Sequence, residues 1–103
     1  GDLESGMGHA REAVETARSV SESEPARARL LGYAFNTLAT VYWARSEMDT
    51  SGEYYSKALQ IAEEMGSRRE AAVTLGNIGL VREAQGRWEE AIEELEFLQK
   101  GDD

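Results

Sequence analysis

The chain of 103 residues contains no cysteine. This excludes disulfide bonds, thiol catalysis and zinc sites built on cysteine, and it is typical of proteins of the reducing cytoplasm. Histidine is almost as scarce, since His9 is the only one. No nucleophilic side chain is arranged around it, so we interpret His9 as a solvated residue. We expect a cytoplasmic protein that is not an enzyme and that holds neither a metal nor a cofactor.

Proline is also rare, and the only one, Pro25, suits the first turn of a helix. No run of alternating apolar and polar residues indicates a β-strand. Residues that favour helices, namely Ala, Glu, Leu and Arg, dominate instead. No apolar run approaches the roughly 18 residues that a membrane-spanning helix needs. The composition therefore predicts an all-α domain without a transmembrane segment.

Basic residues are outnumbered, with 11 Lys and Arg against 20 Asp and Glu, which gives a net charge of -9. Most of the surface would repel nucleic-acid phosphates and anionic lipids, so we expect neither as a partner. A protein partner recruited by charge should be basic. Adjacent acidic residues such as Glu89 and Glu90 point about 100° apart on a helix, and we interpret them as solvated.

The most informative stretch is 75–95, which is typical of two helices joined by a tight turn. Its apolar and small residues recur at helical spacing on both sides of the turn: Leu75, Ile78, Gly79, Trp88, Ala91, Ile92 and Leu95. Gly86 lies between the two sets, and glycine most cheaply adopts the left-handed conformation that ends a helix. We therefore predict an αα-hairpin with its turn at Gly86. One hairpin cannot bury its own apolar faces, so it requires packing neighbours.

The same pattern recurs forty residues earlier, where Ser46 takes the place of the turn residue Gly86. The corresponding positions of this middle copy are Phe35, Leu38, Ala39 and Tyr42 in its first helix, and Tyr55 and Ala58 in its second. A partial copy precedes it, because residues 8–14 align with 86–92. A period of about forty residues predicts a stack of helix pairs, with a spacing longer than the roughly 34 residues of the commonest such repeat.

These residues resemble the tetratricopeptide repeat, whose first helix carries a large residue, Leu, a small residue and an aromatic. The resemblance is closest to the long-helix type of kinesin light chains and bacterial regulators, although Arg82 departs from the aromatic of the motif. It implies an αα-hairpin solenoid, a right-handed superhelix of about five helices, in one domain spanning 1–103. Its parts would be a half-repeat helix at 9–22 and two repeats at 26–65 and 68–100.

The resemblance also implies a binding surface, because the first helix of each hairpin in this family lines a concave groove that takes an extended or helical peptide. Carried over by register, the groove residues are Tyr33, Asn36, Thr37, Thr40, Trp43, Val73, Gly76, Asn77, Leu80 and Glu83. The carboxamide of Asn77 can donate and accept hydrogen bonds at once, so it suits recognition of a peptide backbone. We predict a protein-interaction scaffold that binds a protein or peptide in this groove.

Alternative interpretations stay open for individual residues and for the whole chain. Asn77 could instead bond a neighbouring backbone, and Trp43 could pack on the adjacent repeat rather than anchor a partner. Phe97 lies off the apolar stripe of the last helix, which predicts either a homodimer through that exposed end helix or the cut edge of a longer array. The chain could also be a sensor segment of a larger bacterial regulator.

Overall fold

The computed structural model describes residues 2–21 and 23–101, with the side chains of residues 4–21, 23–93 and 95–97. This part of the chain forms four α-helices and no strand. They are α1 (Asp2–Arg18), α2 (Pro25–Ala44), α3 (Met48–Glu64) and α4 (Arg68–Gly101). The predicted all-α fold class is confirmed.

The helices stack in chain order, so that α2 packs between α1 and α3, and α3 packs between α2 and α4. Short connections at 45–47 and 65–67 make consecutive helices antiparallel hairpin partners. The molecule is elongated, with extents of 63 × 31 × 18 Å. These features agree with a solenoid of paired helices, in which the main contacts join helices that follow one another in the sequence.

Two residues in the left-handed conformation make the turns between helices. Gly66, with φ of 70°, follows α3, and Ser46, with φ of 63°, follows α2. Glycine adopts this conformation without strain, whereas in serine the Cβ makes it somewhat less favourable. After Gly66, the backbone N–H of Glu70 donates to the hydroxyl of Ser67 at 3.4 Å, which caps the start of α4. Gly66 and the cap at Ser67 therefore separate α3 from α4.

The core is built largely from small residues, which let the helices approach closely. The alanines that are less than a tenth exposed are Ala10, Ala13, Ala17, Ala34, Ala39, Ala58 and Ala62. The closest polar contact in this core joins Ser51 to α2, because its hydroxyl donates to the backbone oxygen of Ala39 at 2.7 Å and the side chain is fully buried. Larger side chains fill the space between α2, α3 and α4, where Tyr55, Ile78 and Val81 pack around Ala39.

The turn predicted at Gly86 is absent, because α4 continues from Arg68 to Gly101 without interruption. A glycine inside a helix costs only about 1 kcal/mol relative to alanine, so neighbouring contacts can override its preference for a turn. Two contacts lie beside Gly86: Arg87 pairs with Glu83 across it, and Gln85, just before it, donates to the carboxylate of Asp49 in α3 at 2.6 Å. The predicted count of about five helices is thereby corrected to four in the described residues.

The continuous helix leaves uncovered several apolar residues that the hairpin would have buried. Trp88, Ile92 and Leu95 are 56%, 52% and 62% exposed, because α4 projects beyond the ends of α2 and α3. The expectation that these residues form core is wrong for this structure. By contrast, Phe35 and Leu38 are half-buried and Ile78 is buried, as the pattern predicts.

The first helix also differs in its limits from the predicted half-repeat helix at 9–22. It begins at Asp2 and ends at Arg18, while residue 22 lies outside the described residues. Its early start is explained by packing, because a Cβ on Gly6 would stand only 2.9 Å from a methyl of Val41. Glycine at that position lets α1 lie directly against α2, so tertiary contact outweighs the poor helix propensity of the first residues.

Candidate peptide-binding grooves

One face of α2 carries four of the predicted groove residues at helical spacing. Asn36 and Thr37 come three and four residues after Tyr33, and Thr40 comes four and three residues after them, which places all four on a common side of the helix. Together with Gly6, Val41 and Ala44, they line a cavity of about 500 Å³ between α1 and α2. We call this cavity the α1–α2 groove. It is open to solvent through Tyr33, which is 52% exposed.

A second cavity of about 480 Å³ lies between α2 and α4, with α3 as its floor. Its lining comprises Asn36, Thr40, Tyr55, Arg69, Glu70, Val73, Thr74 and Asn77. We call it the α2–α4 groove. It brings together residues that the sequence separates by about forty positions, because α2 and α4 both pack against α3. Four of the predicted groove residues therefore meet here: Asn36, Thr40, Val73 and Asn77.

Two carboxamides in the α2–α4 groove are available to a ligand. Asn36 and Asn77 are half-buried, and neither side chain has a hydrogen-bond partner among the described residues. The alternative in which Asn77 bonds a neighbouring backbone is therefore not observed. Each carboxamide offers donors and an acceptor, which is the combination that a peptide unit requires.

The floor of this groove is held by a hydrogen-bonded pair. The hydroxyl of Thr40 donates to the backbone oxygen of Asn36 at 3.0 Å and lies 3.1 Å from the hydroxyl of Tyr55. Since Thr40 has a single hydroxyl proton, Tyr55 must be the donor of the second bond. The pair fixes the aromatic ring of Tyr55 beneath the groove, so the two carboxamides stand on a rigid base.

Asn36 lies where three cavities meet. Besides the two grooves, it lines a smaller cavity of about 300 Å³ toward the ends of α2 and α3, which Tyr33 and Glu70 also line. The three cavities therefore adjoin one another at Asn36. Open cavities that adjoin in this way suit an extended chain rather than a compact small molecule.

Four predicted groove residues line none of these cavities: Trp43, Gly76, Leu80 and Glu83. Trp43 is 36% exposed and Leu80 is 54% exposed, so both remain accessible beyond the ends of the grooves. Glu83 forms the ion pair with Arg87 on the surface of α4. Gly76 is exposed, with open space around its α-carbon.

The structure adds lining residues that the register argument did not include. Tyr55 belongs to the second helix of its repeat, and only packing brings its hydroxyl to the groove. Arg69, Glu70 and Thr74 lie on the face of α4 that also carries Val73 and Asn77. Their helical spacing from Asn77 is a signal that could have found them. They give the groove one cation and one anion, in addition to its neutral polar groups.

The described residues contain no group of three His, Asp or Glu side chains that could hold a metal ion. None of their helices combines the length and apolar character that a membrane crossing demands. The grooves are therefore lined by hydrogen-bonding, apolar and charged groups on stacked helices, which is the architecture of a helical-repeat protein.

The comparison with protein families agrees with a helical-repeat protein. The model of the tetratricopeptide repeat matches residues 27–96, which is more than half of the chain. The chain belongs to the tetratricopeptide repeat family, whose members are non-catalytic repeats that generally mediate protein–protein interaction. Searches of curated proteins and of solved structures gave no match.

Proposed function

We propose that this chain is an interaction scaffold that binds an extended or helical peptide across its α1–α2 and α2–α4 grooves. The observation that carries the proposal is the pair of unbonded carboxamides, Asn36 and Asn77, on two facing helices of the α2–α4 groove. The proposed contact residues are those of the register argument: Tyr33, Asn36, Thr37, Thr40, Trp43, Val73, Asn77, Leu80 and Glu83. The cytoplasm is the proposed location.

A basic partner suits the charge of the molecule. The net charge is -9, and Glu70 and Glu83 lie in or next to the α2–α4 groove. A peptide carrying Lys or Arg would be attracted over a long range and would lose affinity as salt screens that attraction. Arg69 in the groove leaves room for an acidic residue at one position of the peptide.

The proposal is tested by selecting binders from a phage-displayed library of random peptides and measuring their affinities by fluorescence polarisation. We expect Asn77→Ala to weaken the selected peptides about tenfold, because a buried interfacial hydrogen bond contributes about 1 to 1.5 kcal/mol. Gln60→Ala is the matched control, since Gln60 is exposed on α3 and bonds only Glu64 of its own helix. Equal affinities for the two variants, or a library without binders, would contradict the groove assignment.

A second role, self-association through the end helix, is favoured by one observation. Phe97 is 75% exposed on the projecting end of α4, and Trp88, Ile92 and Leu95 are exposed on another face of the same segment. A symmetric contact between two such helices would bury these side chains. A third role, as a sensor segment of a larger bacterial regulator, has no observation in the described residues in its favour.

Sedimentation equilibrium tests self-association. If α4 forms a homodimer, Phe97→Glu should raise the dimer dissociation constant at least tenfold, because it places a charge in an apolar interface of an already acidic helix. Arg87→Ala serves as the control, since that side chain is 75% exposed and pairs only with Glu83. A parent chain that stays monomeric at all concentrations would refute this role.

A further inference from the structure

A further cavity, of about 440 Å³, lies between the start of α3 and the part of α4 that runs past it. It shares no lining residue with the three cavities that adjoin at Asn36. Its lining residues from α4 are Gln85, Trp88, Glu89 and Ile92, whose spacing places them on one side of the helix. We call this cavity the α3–α4 pocket. It is a separate surface from the proposed peptide-binding grooves.

The apolar part of the α3–α4 pocket includes an accessible indole. Trp88 is 56% exposed and Ile92 is 52% exposed, while Met48, at the start of α3, is half-buried. The face of an indole carries partial negative charge, so it attracts a cation as well as apolar groups. The pocket therefore suits a ligand that is apolar in one part and positively charged in another.

Two other aromatic rings of this chain already carry a cation. The ammonium of Lys57 lies 5.0 Å from the ring centre of Tyr54, and the guanidinium carbon of Arg45 lies 5.9 Å from that of Tyr42. Among the described residues, no cation lies over the ring of Trp88. The indole of Trp88 is therefore available to a cation from outside the chain.

The charge of the pocket is negative. Three carboxylates line it, those of Glu47, Asp49 and Glu89, and its lining includes no Lys, Arg or His. None of the three pairs with a cation of the described residues, and Asp49 accepts only the hydrogen bond from Gln85 at 2.6 Å. The start of α3 adds about half a positive charge through its helix dipole, which three carboxylates outweigh. The pocket thus complements a cation.

We propose that the α3–α4 pocket binds an arginine side chain from a basic segment of a protein partner. The guanidinium stacks on the indole of Trp88 and donates hydrogen bonds to the carboxylates of Glu89 and Asp49. The aliphatic stem of the arginine covers Ile92 and Met48. Arginine suits this pocket better than lysine, because a planar guanidinium stacks on a ring and bonds carboxylates at the same time. This interaction does not depend on peptide binding in the grooves.

A second copy of the chain is a poorer occupant of the pocket. Each copy carries a net charge of -9, which opposes the approach of two copies. The three carboxylates of the pocket concentrate that repulsion at the point of contact. A basic segment of a different protein meets attraction there instead.

Titration of the full chain with a synthetic peptide tests the pocket. The probe is an acetylated and amidated peptide in which four arginines alternate with glycines. Because the chain contains two tryptophans, its proton–nitrogen NMR spectrum has two indole signals, which Trp88→Phe assigns. We expect the peptide to shift the signal of Trp88 and not that of Trp43. A shift of the Trp43 signal alone would overturn the inference and leave the proposed binding in the grooves standing.

Affinities of variants, measured by fluorescence polarisation of the labelled peptide, give a second readout. Trp88→Ala should weaken binding about fivefold, and Glu89→Gln about threefold. Glu63→Gln is the matched control, because it removes the same charge about 21 Å along α3 from Asp49, beyond the screening length of about 8 Å. It should change the affinity less than about twofold. The corresponding lysine peptide should bind at least about threefold more weakly than the arginine peptide.

Three results would overturn the inference. Equal losses in Glu89→Gln and Glu63→Gln would indicate a general attraction between a polycation and an acidic chain. Unchanged affinity in Trp88→Ala would remove the indole from the interaction. Sedimentation equilibrium without peptide provides the third, since a dimer that Trp88→Ala abolishes would assign the pocket to a second copy. Circular dichroism of each variant verifies that the helices remain.

Discussion

Replacing Tyr55 by alanine should lower the free energy of unfolding by about 3 to 5 kcal/mol, which is the usual cost of removing a buried aromatic ring. Tyr55 is 7% exposed and packs with Ala39, Ile78 and Val81, so its ring joins α2, α3 and α4. A chain of this size commonly has only 5 to 15 kcal/mol of stability, so the loss should be visible in urea unfolding followed by circular dichroism.

Tyr55→Phe separates packing from hydrogen bonding. It keeps the ring and removes only the hydroxyl that bonds Thr40 at 3.1 Å, so we expect a loss of about 1 kcal/mol. If Tyr55→Ala is no more destabilising than Tyr55→Phe, the packing of the aromatic ring contributes nothing to the free energy of unfolding, and this prediction is wrong. A large loss in both variants would instead assign the stability to the hydroxyl pair.

Most of the helical architecture could be predicted from the sequence, because local and tertiary signals agree there. Pro25 lies in the first turn of α2, and Gly66 ends α3 in a left-handed conformation before the Ser67 cap of α4. The apolar period in α2 and α3 likewise includes Ala39 and Tyr55, which pack together in the core. In each case, composition, capping and packing favour the same structure.

Gly86 shows where sequence reasoning reached its limit. A glycine is compatible with both a turn and a helix interior, and the difference of about 1 kcal/mol is no larger than the effect of a few surface contacts. The equivalent position forty residues earlier, Ser46, forms a turn although serine is the less suitable residue. Whether the chain turns at such a position depends on whether the following segment packs on the preceding helix. That packing is a tertiary property, which the spacing of apolar residues along the sequence does not reveal.

The candidate site was predictable in part for the same reason. Residues on one face of α2 or α4 follow helical spacing, so Asn36, Thr40 and Asn77 could be assigned from the register. Tyr55 could not, because it reaches the groove only through the packing of α3 beneath α2 and α4. Helical spacing in the sequence therefore predicts the residues of α2 and α4 that line the groove. The contribution of Tyr55 from α3 becomes visible only in the packed structure.

The largest effect on binding is expected from the double variant Asn36→Ala with Asn77→Ala. Each carboxamide lines the α2–α4 groove from a different helix, and neither bonds the other. If one peptide bonds both, each substitution should cost about tenfold in affinity, and the double variant about a hundredfold. Isothermal titration with a peptide selected on the parent chain measures all four affinities of this cycle.

The comparison of single and double variants decides whether the two residues belong to one site. A double variant no weaker than Asn77→Ala would show that Asn36 makes no contact with the peptide and would reject the joint assignment. The matched control, Ser56→Ala with Gln60→Ala, changes two exposed polar residues of α3 and should leave the affinity within about twofold. Because the two carboxamides come from successive repeats, a hundredfold loss would mean that a bound peptide crosses from one repeat to the next.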